Sequence, residues 1–329
     1  MSTPLFPHIP DATVIHNLDV LLTPKGTTAK YMLQMVTDGM GVPIYIPIIV
    51  MRGAEDGPVV GLTAAVHGNE LNGIPVINRL FASLSPKKLK GTVVGVPGVN
   101  MPSLLRKQRR FIDGTDLNHI MPGREDGTVS QVYAYRIIER FVNQFDYLFD
   151  LHTASFGRVN SYYIRADMAD EEVRNMARHQ GAQIIVHNPP GDGTLRGAAD
   201  DLGIPAITLE VGDPNTFQKG FIRSTATGIH NFLIDKGMIA GDTDEYDVDT
   251  VLCKRSYWLY ADTGGLLSIK PKITDLVKKG DVIAVLRNPF GDEIKTYHAP
   301  EDGVVIGHSV SPVCQTGGRL LHLGIVRQA

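Results

Sequence analysis

Cysteine is almost missing from this chain: Cys253 and Cys314 are the only two in 329 residues. Two cysteines make no disulfide framework, and neither stands in the paired spacing of a cysteine zinc site, so a reduced, cytoplasmic chain is expected. Excess charge is missing too. Lys and Arg number 32 against 35 Asp and Glu, a formal net charge of -3. That balance gives no reason to expect nucleic acid or an anionic membrane surface as a partner. No apolar run approaches the roughly 18 residues of a membrane span. The opening MSTPLFPHIPDATV has no basic start followed by an apolar stretch, so it does not read as a signal peptide. What is present is ordinary for a globular protein, with 43% apolar and 20% charged residues. The length allows two domains at roughly 100–200 residues each. Homo-oligomerisation is left open.

The chain changes texture along its length. Residues 15–50 carry strand-like runs, VIHNLDVLL, AKYMLQMV and VPIYIPIIVM. VVGLTAAV (59–66) then reads as a strand buried on both faces, followed by a Gly-containing turn and a helix, ELNGIPVINRLFASL. TVVGVPGV, YLFDL, AQIIVH and PAITLEV are further strands. Helical spacing appears in QVYAYRIIERFVNQF, in DEEVRNMARHQG, and in TATGIHNFLIDKG with its Lys-Gly stop. Strands alternating with helices predict an α/β fold: a mixed, mainly parallel sheet with helices on both faces. The acidic, aperiodic GDTDEYDVDT (241–250) reads as a linker, and the short strands after it as a small all-β domain. The expected division is 1–245 and 246–329.

In an open α/β sheet, ligands bind beyond the carboxyl ends of the strands. VVGLTAAV leads to His67, with Glu70 three residues on; YLFDL leads to His152; PAITLEV carries Glu210. Two imidazoles and a carboxylate suit zinc and leave its fourth position open for water, although manganese and cobalt accept similar donors. An HxxE pair alone is more often a structural histidine and a glutamate that complements a helix dipole. A second histidine at another strand end reverses that preference. Asp150 is placed to orient His152. Glu210, costly to bury unpaired, is either the general base and acid or the partner of a structural ion pair, for instance with Arg223. In LLRKQRRFIDGTDLNH (104–119), Arg109 or Arg110 can stabilise an oxyanion, and Asn118 can bind a substrate carboxylate or amide. His187 ends another strand and stays open between a structural and a pocket-lining role.

The four runs VHGNELNG, RRFIDGTDLNH, DLHTA and LEVG, in that order across residues 45–235, resemble the succinylglutamate desuccinylase/aspartoacylase family, related to the zinc carboxypeptidases. The resemblance implies zinc, one ion per chain, on His67, Glu70 and His152, with Glu210 as the catalytic carboxylate. It puts the arginine that polarises the scissile carbonyl at Arg109 or Arg110; Arg110 is taken because Phe111 follows it as in the family pattern. Arg109, Asp116, Asn118 and His119 are then the expected substrate-binding residues. His119 departs from the pattern, since the family has arginine there. Histidine cannot offer the bidentate fork of a guanidinium to a carboxylate. The substrate carboxylate, where there is one, then needs another cation, such as Arg106 or Arg124.

The resemblance implies a small-molecule N-acyl substrate and hydrolysis of its amide bond. A metallocarboxypeptidase acting on short peptides and a non-catalytic binding protein that kept the zinc fold are the alternatives. The C-terminal stretches DLVKKGDVIAVL and YHAPEDGVVIG resemble the barrel-sandwich fold of biotinyl and lipoyl carrier domains. The turn between them, NPFGDE, lacks the lysine that carries the cofactor, and Lys295 lies past it. An unmodified fold is expected there, covering the active-site mouth or mediating assembly.

Overall fold

The apolar runs meet at the centre of one large sheet. The computed structural model describes His8 and residues 11–326, save Asp192 and Asp247. The N-terminal strands are β1 (Ala12–Ile15), β2 (Thr27–Thr37) and β3 (Pro43–Arg52). Then come β4 (Glu55–Ala64), α1 (Gly73–Ser83), β5 (Lys90–Val96), α2 (Met101–Leu105), α3 (Val129–Arg140) and β6 (Tyr147–His152). The short β7 (Arg158–Asn160) and β8 (Tyr162–Ala166) lead to α4 (Glu171–Arg178), β9 (Ile184–His187), α5 (Leu195–Asp201), β10 (Ala206–Val211) and α6 (Lys219–Asp235). Among the described residues after 250 the elements are all strands: β11 (Val251–Tyr260), β12 (Gly265–Ile269), β13 (Leu276–Val277), β14 (Val282–Arg287), β15 (Glu293–His298), β16 (Gly303–Ser309), β17 (Val313–Cys314) and β18 (Arg319–Val326).

The sheet order is β1-β2-β3-β5-β4-β6-β10-β8-β9-β11-β18-β16-β13, with β7 against β16. Its centre, β5-β4-β6-β10, is parallel. Outside that centre the pairs β3–β5, β2–β3, β10–β8, β11–β18 and β16–β18 are antiparallel, whereas β1–β2, β8–β9 and β9–β11 are parallel, so the sheet is mixed rather than mainly parallel. Successive residues of the central strands enter opposite cores, as a period of two requires. Val94 and Leu148 pack with α3 and α5, whereas Val93 and Phe149 pack with α1, α4 and α6. Helices therefore cover both faces.

Two regions differ from the sequence expectations. Of VIHNLDVLL only Val14 and Ile15 are strand; Asp19 Oδ1 accepts from Leu21 N at 2.8 Å and starts a 3-10 turn instead. The strands after residue 250 have their own buried cluster, including Ile283, Leu286, Leu320 and Leu323. Yet β11 pairs in parallel with β9, and β16 pairs with β7. The outer strands thus continue the main sheet, while β15-β14-β12-β17 forms a second sheet.

Candidate metal and hydrolytic site

The turn after β4 is set by close approaches. A Cβ on Gly68 would stand 2.1 Å from the carbonyl carbon of Ser103, and one on Gly73 would stand 2.7 Å from Leu151 Cβ. Only glycine lets this turn lie on α2 and lets α1 lie on β6. Asn100 fixes it further, its backbone N donating to Ala65 O and its Nδ2 to Val66 O, both at 3.0 Å. Glu70 consequently sits in the turn before α1 and not within the helix.

Register supplies the rest. In parallel β6 and β10, His152 lies opposite Glu210 and Asp150 opposite Thr208; Asp150 also faces Thr63 of β4. These side chains therefore share one sheet face. His67, Glu70 and His152 converge in the same place, 2%, 1% and 3% exposed, with ligand atoms all within 4.8 Å of one another. His152 Nδ1 is 2.9 Å from Glu70 Oε2. His67 Nδ1 is 2.9 Å from Glu70 Oε1 but outside hydrogen-bonding geometry, which leaves that buried nitrogen without a hydrogen bond.

The opposite nitrogens are both taken by carboxylates. His67 Nε2 is 2.9 Å from Asp116 Oδ1, and His152 Nε2 is 2.8 Å from Asp150 Oδ2. Thr63 Oγ1 donates to the other Asp150 oxygen at 2.7 Å. An imidazole held this way at one nitrogen presents the other as a metal ligand. Two Nδ1 atoms and one carboxylate then point at a single spot, one of them an orphaned buried nitrogen. That donor set fits a divalent metal ion. Burial alone would raise the Glu70 carboxyl, but His67 and His152 hold it well below the usual range.

The surrounding cavity, about 260 Å³, collects a second group of residues. Glu210 reaches it from β10. Its Oε2 accepts from Asn160 Nδ2 at 3.3 Å, and its Oε1 lies 3.6 Å from Arg165 Nε. The structural partner is Arg165, then, and not Arg223, which is exposed on α6. Burial raises the Glu210 carboxyl against the pull of Arg165.

Arg109 lines the cavity, with Nε 2.9 Å from Asp116 Oδ2 and Nη1 2.8 Å from Glu70 Oε1, and it also donates to Ser155. Arg110 does not line it. Its exposed guanidinium turns to Gly114 O at 3.2 Å, because the side chain of the next residue, Phe111, is drawn into the core against Tyr133. Of the two arginines the sequence offers, the geometry brings Arg109 and not Arg110 to the cavity.

Asp116 stands behind His67 and is fully engaged by His67, Arg109 and the backbone N of Asn118, so it positions groups and is not on the cavity wall. Asn118 and His119 do line the cavity. Asn118 Oδ1 also accepts from Leu195 N at 2.7 Å, pinning the start of α5. His119 is 67% exposed at its side chain and 3.9 Å from Asp116. Neither proposed stand-in cation arrives: Arg106 is exposed outside the cavity, and Arg124 is held 3.5 Å from Gln131 Oε1. His187 accepts from Met168 N at 3.1 Å and lines a different cavity.

Four arginine-bearing positions escaped the sequence reading: Arg158, Arg165, Arg196 and Arg319, together with Trp258, all face this cavity. None sits in a motif. Alternation on β8 offered the one available hint, placing Tyr163 and Arg165 on the Glu210 face.

Fold and site together define a mixed α/β chain with a buried His–Glu–His group at the centre of its sheet. It belongs to the succinylglutamate desuccinylase/aspartoacylase family, whose catalytic-domain model matches residues 56–235. The chain is 26% identical over 275 residues to an N-alpha-acetyl-L-2,4-diaminobutyric acid deacetylase of Halomonas elongata, covering 80% of each. It is 30% identical over 222 residues to a succinylglutamate desuccinylase of Pseudomonas paraeruginosa, covering 61% of this chain and 65% of that one. Among solved structures, the ectoine utilization protein EutE of Ruegeria pomeroyi superposes with a TM-score of 0.82 at 21% identity, over 92% of this chain and 97% of the other. A succinylglutamate desuccinylase of Silicibacter gives 0.80 at 23% identity, over 93% and 97%. At such identities the likeness speaks for the fold.

Proposed function

We propose that this chain is a zinc-dependent deacylase that hydrolyses the amide bond of a small N-acyl amino acid. The observation that carries the reading is the strand register that sets Glu210 opposite His152, beside a His–Glu–His donor set with an open side toward the cavity. Two relatives named for deacylation of acyl amino acids support the substrate class. The cavity of about 260 Å³ suits a small molecule better than a peptide.

Zinc held by His67, Glu70 and His152 would supply Lewis acidity toward the carbonyl and acidify water at its open position. Glu210 accepts the proton from the attacking water and returns it to the departing amine nitrogen, so one carboxylate serves as base and then acid. Burial suits it to that exchange, by bringing its pKa up toward the working range. Arg109 donates to the oxygen that gains negative charge. Its Nε and Nη1 are already fixed by Asp116 and Glu70, and Nη2 has no partner among the described residues. A guanidinium locked in this way needs no reorganisation during reaction.

Hydrolysis of a panel of N-acyl amino acids, followed by amine release with and without chelator, tests the reading. Turnover that disappears with chelator and returns with zinc is expected; no turnover of any member by the zinc-loaded protein would overturn it. The two neighbouring arginines separate cleanly. Arg109→Met is expected to lower kcat by about 10²-fold, as loss of an oxyanion donor does, whereas Arg110→Met leaves it near wild type. The reverse ranking in steady-state kinetics would return the role to Arg110.

A further inference from the structure

The cavity holds more positive charge than the hydrolytic group uses. Arg109 is balanced by Glu70 and Asp116, and Arg165 by Glu210. Arg158 and Arg319 are not balanced. Among the described residues neither guanidinium has an ion pair or a hydrogen bond; what they share is the indole of Trp258, with each guanidinium carbon 5.5 Å from the ring centroid. Arg158 is half-buried, while Arg319 is exposed. Burial first, and Arg319 second, push the Arg158 pKa down. Two cations drawn to one ring repel each other, and an anion placed between them relieves that repulsion.

The indole is itself held. Trp258 pairs across the strands with His322, and their rings stack at 5.0 Å and 12°. His322 Nε2 is 2.9 Å from Ser256 Oγ. Arg158 arrives on β7, which is fastened to β16, and Arg319 opens β18. Strands from beyond residue 250 therefore build one wall of the cavity. Arg158 lines the same cavity as Arg109, Glu210 and Glu70, and their charges act on it.

We propose that Arg158 and Arg319, backed by Trp258, form an anion subsite that takes a carboxylate of the substrate. The word substrate rests on the deacylase reading above; the subsite itself rests on the uncompensated cations. Two guanidinium groups can offer N–H donors to both carboxylate oxygens, which His119 cannot. The substrate is then an anionic N-acyl amino acid and not a neutral N-acyl amine.

Trp258 is the sole tryptophan of the chain, so its fluorescence reads the subsite without any catalysis. Titration with succinate is expected to give a saturable change, weakened by about tenfold or more in Arg158→Met and in Arg319→Met, as for loss of a charged hydrogen bond. Succinamide, neutral and of similar shape, is expected to give none. An equal response to succinamide, or titrations unaltered in both variants, would sink the subsite. Kinetics supply the second arm. Wild type is expected to prefer an N-acetyl amino acid over its carboxamide by about 10²-fold in kcat/KM, and Arg158→Met to lose most of that preference. Equal losses on both compounds would mean a structural role only. A chain that hydrolyses neither compound, yet passes the fluorescence test, would refute the deacylase reading and leave the subsite standing.

Discussion

Replacing Glu210 with glutamine is expected to lower kcat by about 10³-fold, within the usual range for loss of a general acid–base group, while bound metal stays near the wild-type amount. The substitution keeps the shape and the hydrogen-bonding reach toward Asn160 and Arg165 but removes the proton acceptor. Single-turnover and steady-state rates, beside metal analysis of the same sample, check it. Near-full activity would show that the proton goes elsewhere. The pH profile gives an independent reading. Glu210 works as a base only when ionised, so activity is present at higher pH and lost as pH falls through its pKa. Burial has already moved that pKa up, and Arg165 exerts the largest opposing pull. Arg165→Met should therefore shift the acid limb of kcat/KM to higher pH than in wild type. A shift to lower pH, or none, would separate the limb from Glu210.

The second large effect is at Glu70. Glu70→Ala is expected to reduce metal from about one ion per chain to background after dialysis, and to abolish turnover with it. Glu70 is the hub of the buried group. Its oxygens meet both histidine Nδ1 atoms, Arg109, Ser155 Oγ at 2.9 Å and the Thr153 backbone N at 3.2 Å. The orienting carboxylates have smaller effects. Asp116→Asn or Asp150→Asn should weaken metal by about 10–100-fold, as loss of a ligand's supporting hydrogen bond does. Full metal occupancy in Glu70→Ala, measured by elemental mass spectrometry, would refute the donor set. An unfolded variant is recognised by circular dichroism, and Glu70→Gln, which preserves volume, then takes its place.

The sequence was most legible where chemistry and strand pattern coincide. The runs ending near His67, His152 and Glu210 could be read as buried strands because apolar continuity marks a strand covered on both faces. The two-sided helical layering followed from the same alternation, and the structure has it in the separate cores around Val93 and Val94. Confusion arose where adjacent residues carry the same chemistry. Arg109 and Arg110 are indistinguishable as a pair of letters. Which one turns inward depends on Phe111 being buried against Tyr133 and on Asp116 being placed to receive Arg109. Asp116, expected at the substrate, caps the 3-10 turn Leu117–His119 and meets His67 Nε2.

The parts least visible were those assembled across long sequence distances. Arg158 and Arg319 are 161 positions apart, yet pairing of β7 with β16 and of β18 with β11 brings both to one indole. Sequence by itself determined which donors exist, which of them end buried strands, and which family they announce, since these depend on local order and residue chemistry. Tertiary structure decided which side chains face inward, that Glu210 lies opposite His152, and that His67, Glu70 and His152 share a cavity with strands from beyond residue 250. Those outcomes are set by register and sheet order, and the energy that fixes both is spread over the whole core.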